Sequence, residues 1–213
     1  MIAGLLLLLF AAFGCTKSEH FITDASYRAR VVADFKTKRE AFADSSLFAI
    51  FQTEMTTPER EAMEFLYAYM PIGDVADYDG AFYLRNVRAA FTARREMPWG
   101  QQIPEDIFRH FVLPIRVNNE NLDESRTVFF EELKDRVRGL SLREAVLEVN
   151  HWCHEKVIYT PSDARTSSPL ASVCTAYGRC GEESTFTVAA PKQIIGYSPA
   201  DGTLISYTPK SDQ

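Results

Sequence analysis

The sequence is short of the residues that mark most functional classes. It has four cysteines in 213 residues, too few for a small scaffold stapled by disulfides. Basic residues are outnumbered 23 to 29 by acidic ones, giving a net charge of -6 and a pI near 5.3. No basic run stands out, which argues against nucleic acid as a partner. Glycine and proline number 10 each, which excludes collagen-like and low-complexity chains, and no internal repeat is visible. No apolar run reaches the ~20 residues that a bilayer-spanning helix needs. What remains is an ordinary globular composition, 46% hydrophobic and 24% charged. It can bury a core in one domain, or in one domain with an appendage.

The longest apolar run lies at the front. Residues 1–14 read MIAGLLLLLFAAFG, with no charged side chain. That is the length of the apolar region of a signal peptide. Ala12-Phe13-Gly14-Cys15 followed by the polar Thr16-Lys17-Ser18-Glu19 resembles the lipobox of bacterial lipoproteins, although Phe13 is bulky for that pattern and a basic leader is missing. The resemblance implies cleavage before Cys15, lipidation of that cysteine, and an extracytoplasmic domain tethered to a cell-envelope membrane. The alternative is a buried N-terminal helix with an unrelated cysteine.

The middle of the chain predicts helices. Residues 26–43 carry Tyr27, Val31, Val32 and Phe35 at helical spacing. Thr57-Pro58-Glu59 predicts a start with Thr57 as the cap, and Ala62, Phe65, Leu66 and Tyr69 form one inward face up to Met70-Pro71. Further helices are predicted at 83–95, 105–111 and 123–138, the last closed by Gly139. Ser141-Leu142-Arg143-Glu144 is a capping box with Leu140 as a hydrophobic staple. It opens a stripe of Leu142, Ala145, Val146, Val149, Trp152 and Cys153. Val157-Ile158-Tyr159 predicts extended chain, and residues 162–179 predict a surface loop.

Chemistry concentrates at Gly178-Arg179-Cys180-Gly181-Glu182-Glu183. A cysteine between glycines ends the loop, and an apolar pattern of Phe186, Val188, Ala189 and Ala190 follows. This places Cys180 at a helix N-terminus, where free amides and the dipole favour a thiolate. Arg179 is expected to add positive charge, while Glu182 and Glu183 oppose it. The segments 149–157, 165–171 and 178–190 together resemble the helix, loop and nucleophile-helix opening of the transglutaminase-like family of papain-related cysteine enzymes. Residues 117–123 also look like the region that precedes the core in bacterial members.

The resemblance implies that Cys180 is the nucleophile of a thiol acyl-transfer reaction on a peptide or protein substrate, without cofactor or metal. It also implies a downstream histidine as general base and an aspartate to orient it. All four histidines, His20, His110, His151 and His154, precede Cys180. The expected enzyme is therefore incomplete in this chain, a nucleophile without its base. Asp201 and Asp212 follow Cys180 but have no histidine to orient. The backbone amide of Cys180 can supply one oxyanion donor. His151, Cys153 and His154 could contribute to a zinc site, but an ordinary helix face accounts for them better. Cys153 and Cys174 either pair or leave Cys153 as a buried thiol. Trp99, Tyr159 and Tyr177 either line a groove or join the core. After Pro191, which is expected to interrupt the helix, 193–197 and 204–207 predict a hairpin.

The resulting expectation is an α+β protein. It comprises a signal peptide at 1–14, a tether at 15–25, a helical region at 26–140, the N-terminal half of a transglutaminase-like core at 141–190, and an atypical tail at 191–213. A non-enzymatic envelope binding module with a relic motif is the competing reading. Oligomeric state is not legible.

Overall fold

Five of the described α-helices start where the short polar side chain of the cap residue takes up a free amide. In the computed structural model, which describes residues 20–160 and 166–194, Asp24 accepts from the Ser26 and Tyr27 amides at 2.8 and 3.0 Å and opens α1 (Ala25–Ala41). Val31 and Phe35 of α1 turn inward, whereas Val32 from the predicted stripe is exposed. A stretch of 3-10 helix at Ser45–Gln52, absent from the sequence reading, inserts Phe48 into the core.

α2 (Thr57–Tyr69) begins one residue earlier than predicted. Thr56, not Thr57, is the cap, and it forms a reciprocal capping box with Glu59, which puts Pro58 within the first turn. Ala62, Phe65 and Leu66 are buried as expected. Tyr69 is not; it is half exposed, and its hydroxyl donates to Asp34 at 2.6 Å. α3 (Ile72–Asp77) follows after Pro71, then α4 (Gly80–Glu96) with Leu84, Val87 and Ala90 inward. α5 (Glu105–Ile107) passes directly into one π-helical turn, Phe108–Val112, in which the Leu113 amide reaches back to the Phe108 carbonyl at 2.8 Å.

α6 (Ser125–Arg136) buries Phe129, Phe130 and Leu133. Gly139 then turns the chain at φ 80°, a conformation that disfavours any residue with a Cβ. α7 (Leu142–Lys156) has the predicted capping box, and Ala145, Val146, Val149, Trp152 and Cys153 form its inward face. Two strands, β1 (Ile158–Tyr159) and β2 (Tyr177–Gly178), pair in parallel, with Ile158 opposite Tyr177. Between them lies α8 (Pro169–Thr175), where the sequence reading had expected only loop. Its start was readable: Ser168 caps the Ala171 amide and Pro169 occupies the first position.

α9 (Cys180–Ile194) begins at the predicted cysteine. It does not stop at Pro191. Its far end is held in the core: Pro191, Gln193 and Ile194 are buried, and the Ile194 carbonyl accepts from Trp99 Nε1 at 2.6 Å. Packing thus outweighs the lost helical amide of one proline. Gln193 and Ile194 are accordingly helical, not the first residues of a hairpin strand.

One apolar cluster runs through the molecule. Phe35, Phe48, Phe51 and Tyr67 pack edge to face or tilted at one end. Phe129, Trp152 and Phe186 join α6, α7 and α9 at the other, with ring centroids 5.1 to 5.4 Å apart. The described residues are mostly helical with one two-stranded parallel sheet, an α+β mixture in the coarse sense. Residues 1–19, 161–165 and 195–213 lie outside the described residues. So do the expected signal peptide, lipidated Cys15, most of the predicted hairpin, and Asp201 and Asp212. No helix among the described residues is long and apolar enough to cross a membrane.

Candidate functional site

The turn into α9 is built by close packing. A Cβ on Gly178 would lie 2.9 Å from Glu182 Cβ and 3.3 Å from Val157 Cγ1, so glycine is required there sterically. Gly181 faces only ordinary contacts, the nearest at 3.8 Å, so its small size is not demanded by its neighbours. Glu183 donates its amide to the Arg179 carbonyl at 3.0 Å, closing the first turn of α9 behind Cys180. Cys180 itself is exposed.

Arg179 has a different task from the one its charge suggested. Its Nε donates to both carboxylate oxygens of Glu182, at 3.2 and 3.0 Å, and Nη2 reaches the Thr166 hydroxyl at 3.4 Å. Glu182 is 1% exposed and also accepts the Ser167 amide at 3.2 Å. The guanidinium therefore neutralises a buried carboxylate, and the two residues staple the loop before α8 to the first turn of α9.

The helix beneath is held by α7. Trp152 stacks at a tilt on Phe186, with centroids 5.3 Å apart, and its Nε1 donates to Glu132 at 3.2 Å. Cys153 is buried next to Thr187, and burial pushes its thiol up to about 12. Cys153, His154 and Glu183 border one small cleft between α7 and α9. Burial raises the Glu183 carboxyl above its usual value, with the His154 charge opposing. Glu183 is one turn along α9 from Cys180, so His154 is the histidine that the fold brings to this helix. Among the described residues no hydrogen bond joins an imidazole to the exposed Cys180 sulfur.

His151 points elsewhere, to Glu155 at 3.1 Å. Among the described residues no three histidine, cysteine or acidic side chains are grouped to hold a metal ion. Cys153 and Cys174 are both free thiols, the first buried and the second exposed, so the disulfide alternative does not hold in this fold.

No family model matches the chain, and neither a curated protein nor a solved structure matches it. The aromatic residues divide. Trp99 is core, fixed by its bond to Ile194. Tyr159 and Tyr177 are exposed on the paired strands, at 58% and 57%, beside the exposed Ile158. Tyr177 precedes Cys180 by three residues, so an apolar surface accompanies the thiol. The sequence reading missed the Arg179–Glu182 pair, although its i, i+3 spacing was a readable signal.

Proposed function

We propose that this protein is a membrane-anchored, transglutaminase-like member of the thiol acyl-transfer class, and that the 213-residue chain is catalytically silent by itself. The observation that carries the class is the exposed Cys180 at the first position of a 15-residue helix, after a glycine held by close side-chain packing, with that helix packed on α7 through Trp152 and Phe186. In the proposed reaction the Cys180 sulfur bonds to a carboxamide or peptide carbonyl carbon. The amine leaves with a proton, and water or a second amine then releases the acyl group from the thioester. The proton transfers need a base at the sulfur. Among the described residues no histidine is hydrogen-bonded to Cys180, and the proposed silence rests on that missing contact. Lipidation at Cys15 is the proposed anchor, and the extracytoplasmic face of a bacterial cell-envelope membrane is the proposed location.

The competing reading, a non-enzymatic envelope binding module, is favoured by one observation: Arg179, the cation next to Cys180 in the chain, is paired with the buried Glu182. The two readings separate in one experiment. An uncharged thiol probe at limiting concentration should label Cys180 before Cys174, and Cys153 only on unfolding. Wild type and Cys180→Ala should show equal background in amine incorporation and amide hydrolysis. Labelling of Cys174 ahead of Cys180 would remove the support for a reactive nucleophile. Turnover dependent on Cys180 would overturn catalytic silence.

A further inference from the structure

Away from Cys180, α2, α3, α4 and the π-helical turn surround a cavity of about 270 Å³. Its walls are largely apolar, and its polar groups are few and grouped. Phe65 and Tyr69 form one side, and Tyr83 closes the floor with its hydroxyl donating to the Asp74 carbonyl at 2.8 Å. Beside it, Arg116 clasps the Asp74 carboxylate with two nitrogens, Nε at 2.8 Å from Oδ2 and Nη2 on Oδ1. His110 packs edge-on against Phe65 on the same side, with centroids 5.3 Å apart.

Three features distinguish this cavity from a packing defect. It opens to solvent past the half-exposed Tyr69 and His110, and its volume is far above that of the voids packing leaves inside proteins, which are seldom much larger than a water molecule. Its wall includes a π-helical turn, a rare and costly conformation that recurs at functional sites, and that turn carries His110. The charged groups at its wall already have partners: Asp74 and Arg116 satisfy each other, and Lys38 beside them donates to the Met70 carbonyl, so a charged occupant would find no unpaired counter-charge. Partial desolvation and the neighbouring Arg109 hold the His110 imidazole below its usual value, with the Asp106 charge opposing, which favours its uncharged donor-and-acceptor form.

We propose that this cavity binds an uncharged aromatic or short aliphatic molecule of about ten non-hydrogen atoms, with one hydroxyl or carbonyl hydrogen-bonded to His110. None of its walls belongs to α7, α8 or α9, so the site is separate from Cys180 and independent of the proposed acyl transfer.

The probe is 2-naphthol, neutral at pH 7, titrated into the full chain by fluorescence and calorimetry. The expected result is one saturable site with Kd on the order of 100 μM. Ile115→Trp, which fills the cavity from its lining, should abolish binding. His110→Phe, at an exposed position that keeps an aromatic ring, should weaken 2-naphthol about tenfold and leave naphthalene unchanged. Naphthalene-2-sulfonate should bind at least tenfold more weakly than 2-naphthol. No saturable 2-naphthol binding up to 1 mM, equal binding of the sulfonate, or wild-type affinity in both variants would each overturn the proposal. Because His110→Phe leaves the core packing in place, the result does not depend on whether Ile115→Trp folds.

Discussion

Lys192 illustrates how a single residue can depend on its surroundings more than on its identity. It lies in the C-terminal part of α9, buried, and donates to the carbonyls of Pro114 and Arg116 at 3.2 and 3.4 Å. Arg126 is buried nearby and donates through Nη2 to the Val112, Leu113 and Pro114 carbonyls at 2.9, 3.2 and 3.3 Å. Desolvation, then repulsion from Arg126, bring the Lys192 amine down to about 7, with the Glu120 charge opposing. Below pH 7 the amine is charged in both folded and unfolded states and the burial cost is fully present. Between pH 7 and the unfolded value near 10.5, the unfolded chain holds more protons, so stability rises with pH. Melting temperature should therefore climb from pH 7 to pH 9 through this group, and Lys192→Met should flatten that climb and raise stability most at pH 6. An unchanged slope in the variant would show that other groups set the profile. Cys153 has the opposite sign. Its raised thiol favours the folded state's proton, so its contribution is lost above the ordinary value near 9, as the unfolded thiol ionises.

At the scale of the element, caps and turns fix where helices begin, and their effects are local. Thr56→Ala removes half of a capping box and should cost about 1 kcal/mol, read as a lower denaturation midpoint with unchanged slope. Gly139→Ala forces a side chain into φ 80° and should cost about 1 kcal/mol, also without altering the native circular dichroism. Gly178→Ala should be more damaging, because its Cβ would collide with Glu182 Cβ, part of the Arg179–Glu182 staple. The expected signature is faster labelling of Cys180 and faster amide exchange in 180–184, together with loss of stability. If labelling and exchange at α9 stay at wild-type rates, the staple does not order the turn. The start of α7 was legible because its capping box is written in four consecutive residues, Ser141–Glu144, whereas the cap of α2 was placed one residue late, at Thr57. α8 was missed because its seven residues carry little helical periodicity, although Ser168-Pro169 marked its start. Pro191 was misread because its local cost is outweighed by the burial of α9's end, which no nearby residue reveals.

For the whole molecule, α9 is the element that ties the ends of the fold together. It packs on α6, α7 and α8, and its carbonyl end holds Trp99 from the loop after α4. Phe186 is 1% exposed between Phe129 and Trp152. Phe186→Ala should cost about 3–5 kcal/mol and loosen α6, α7 and α9 together, seen as a common loss of exchange protection in all three. Protection lost in α9 alone would mean that the aromatic trio does not couple the helices. The proposed anchor is tested at this scale as well: Cys15→Ser should move the protein from the membrane fraction to the soluble one, and an unchanged distribution would refute lipid anchoring through that residue.

The sequence alone determined most helices and their inward faces in α2, α4, α6 and α7, because burial of a 3.6-residue stripe is repeated many times along each element. It also placed Cys180 at a helix start, since glycine, cysteine and the apolar pattern that follows are contiguous. Only the tertiary structure decided what those residues meet. It gave Arg179 to Glu182, exposed Val32 and Tyr69, carried α9 through Pro191, and assembled the His110 cavity from four separated segments. Helix periodicity and capping depend on neighbours within a turn, and so can be read along the chain. Charge pairing, burial and cavity shape depend on residues brought together from distant positions, and exist only once the chain has packed.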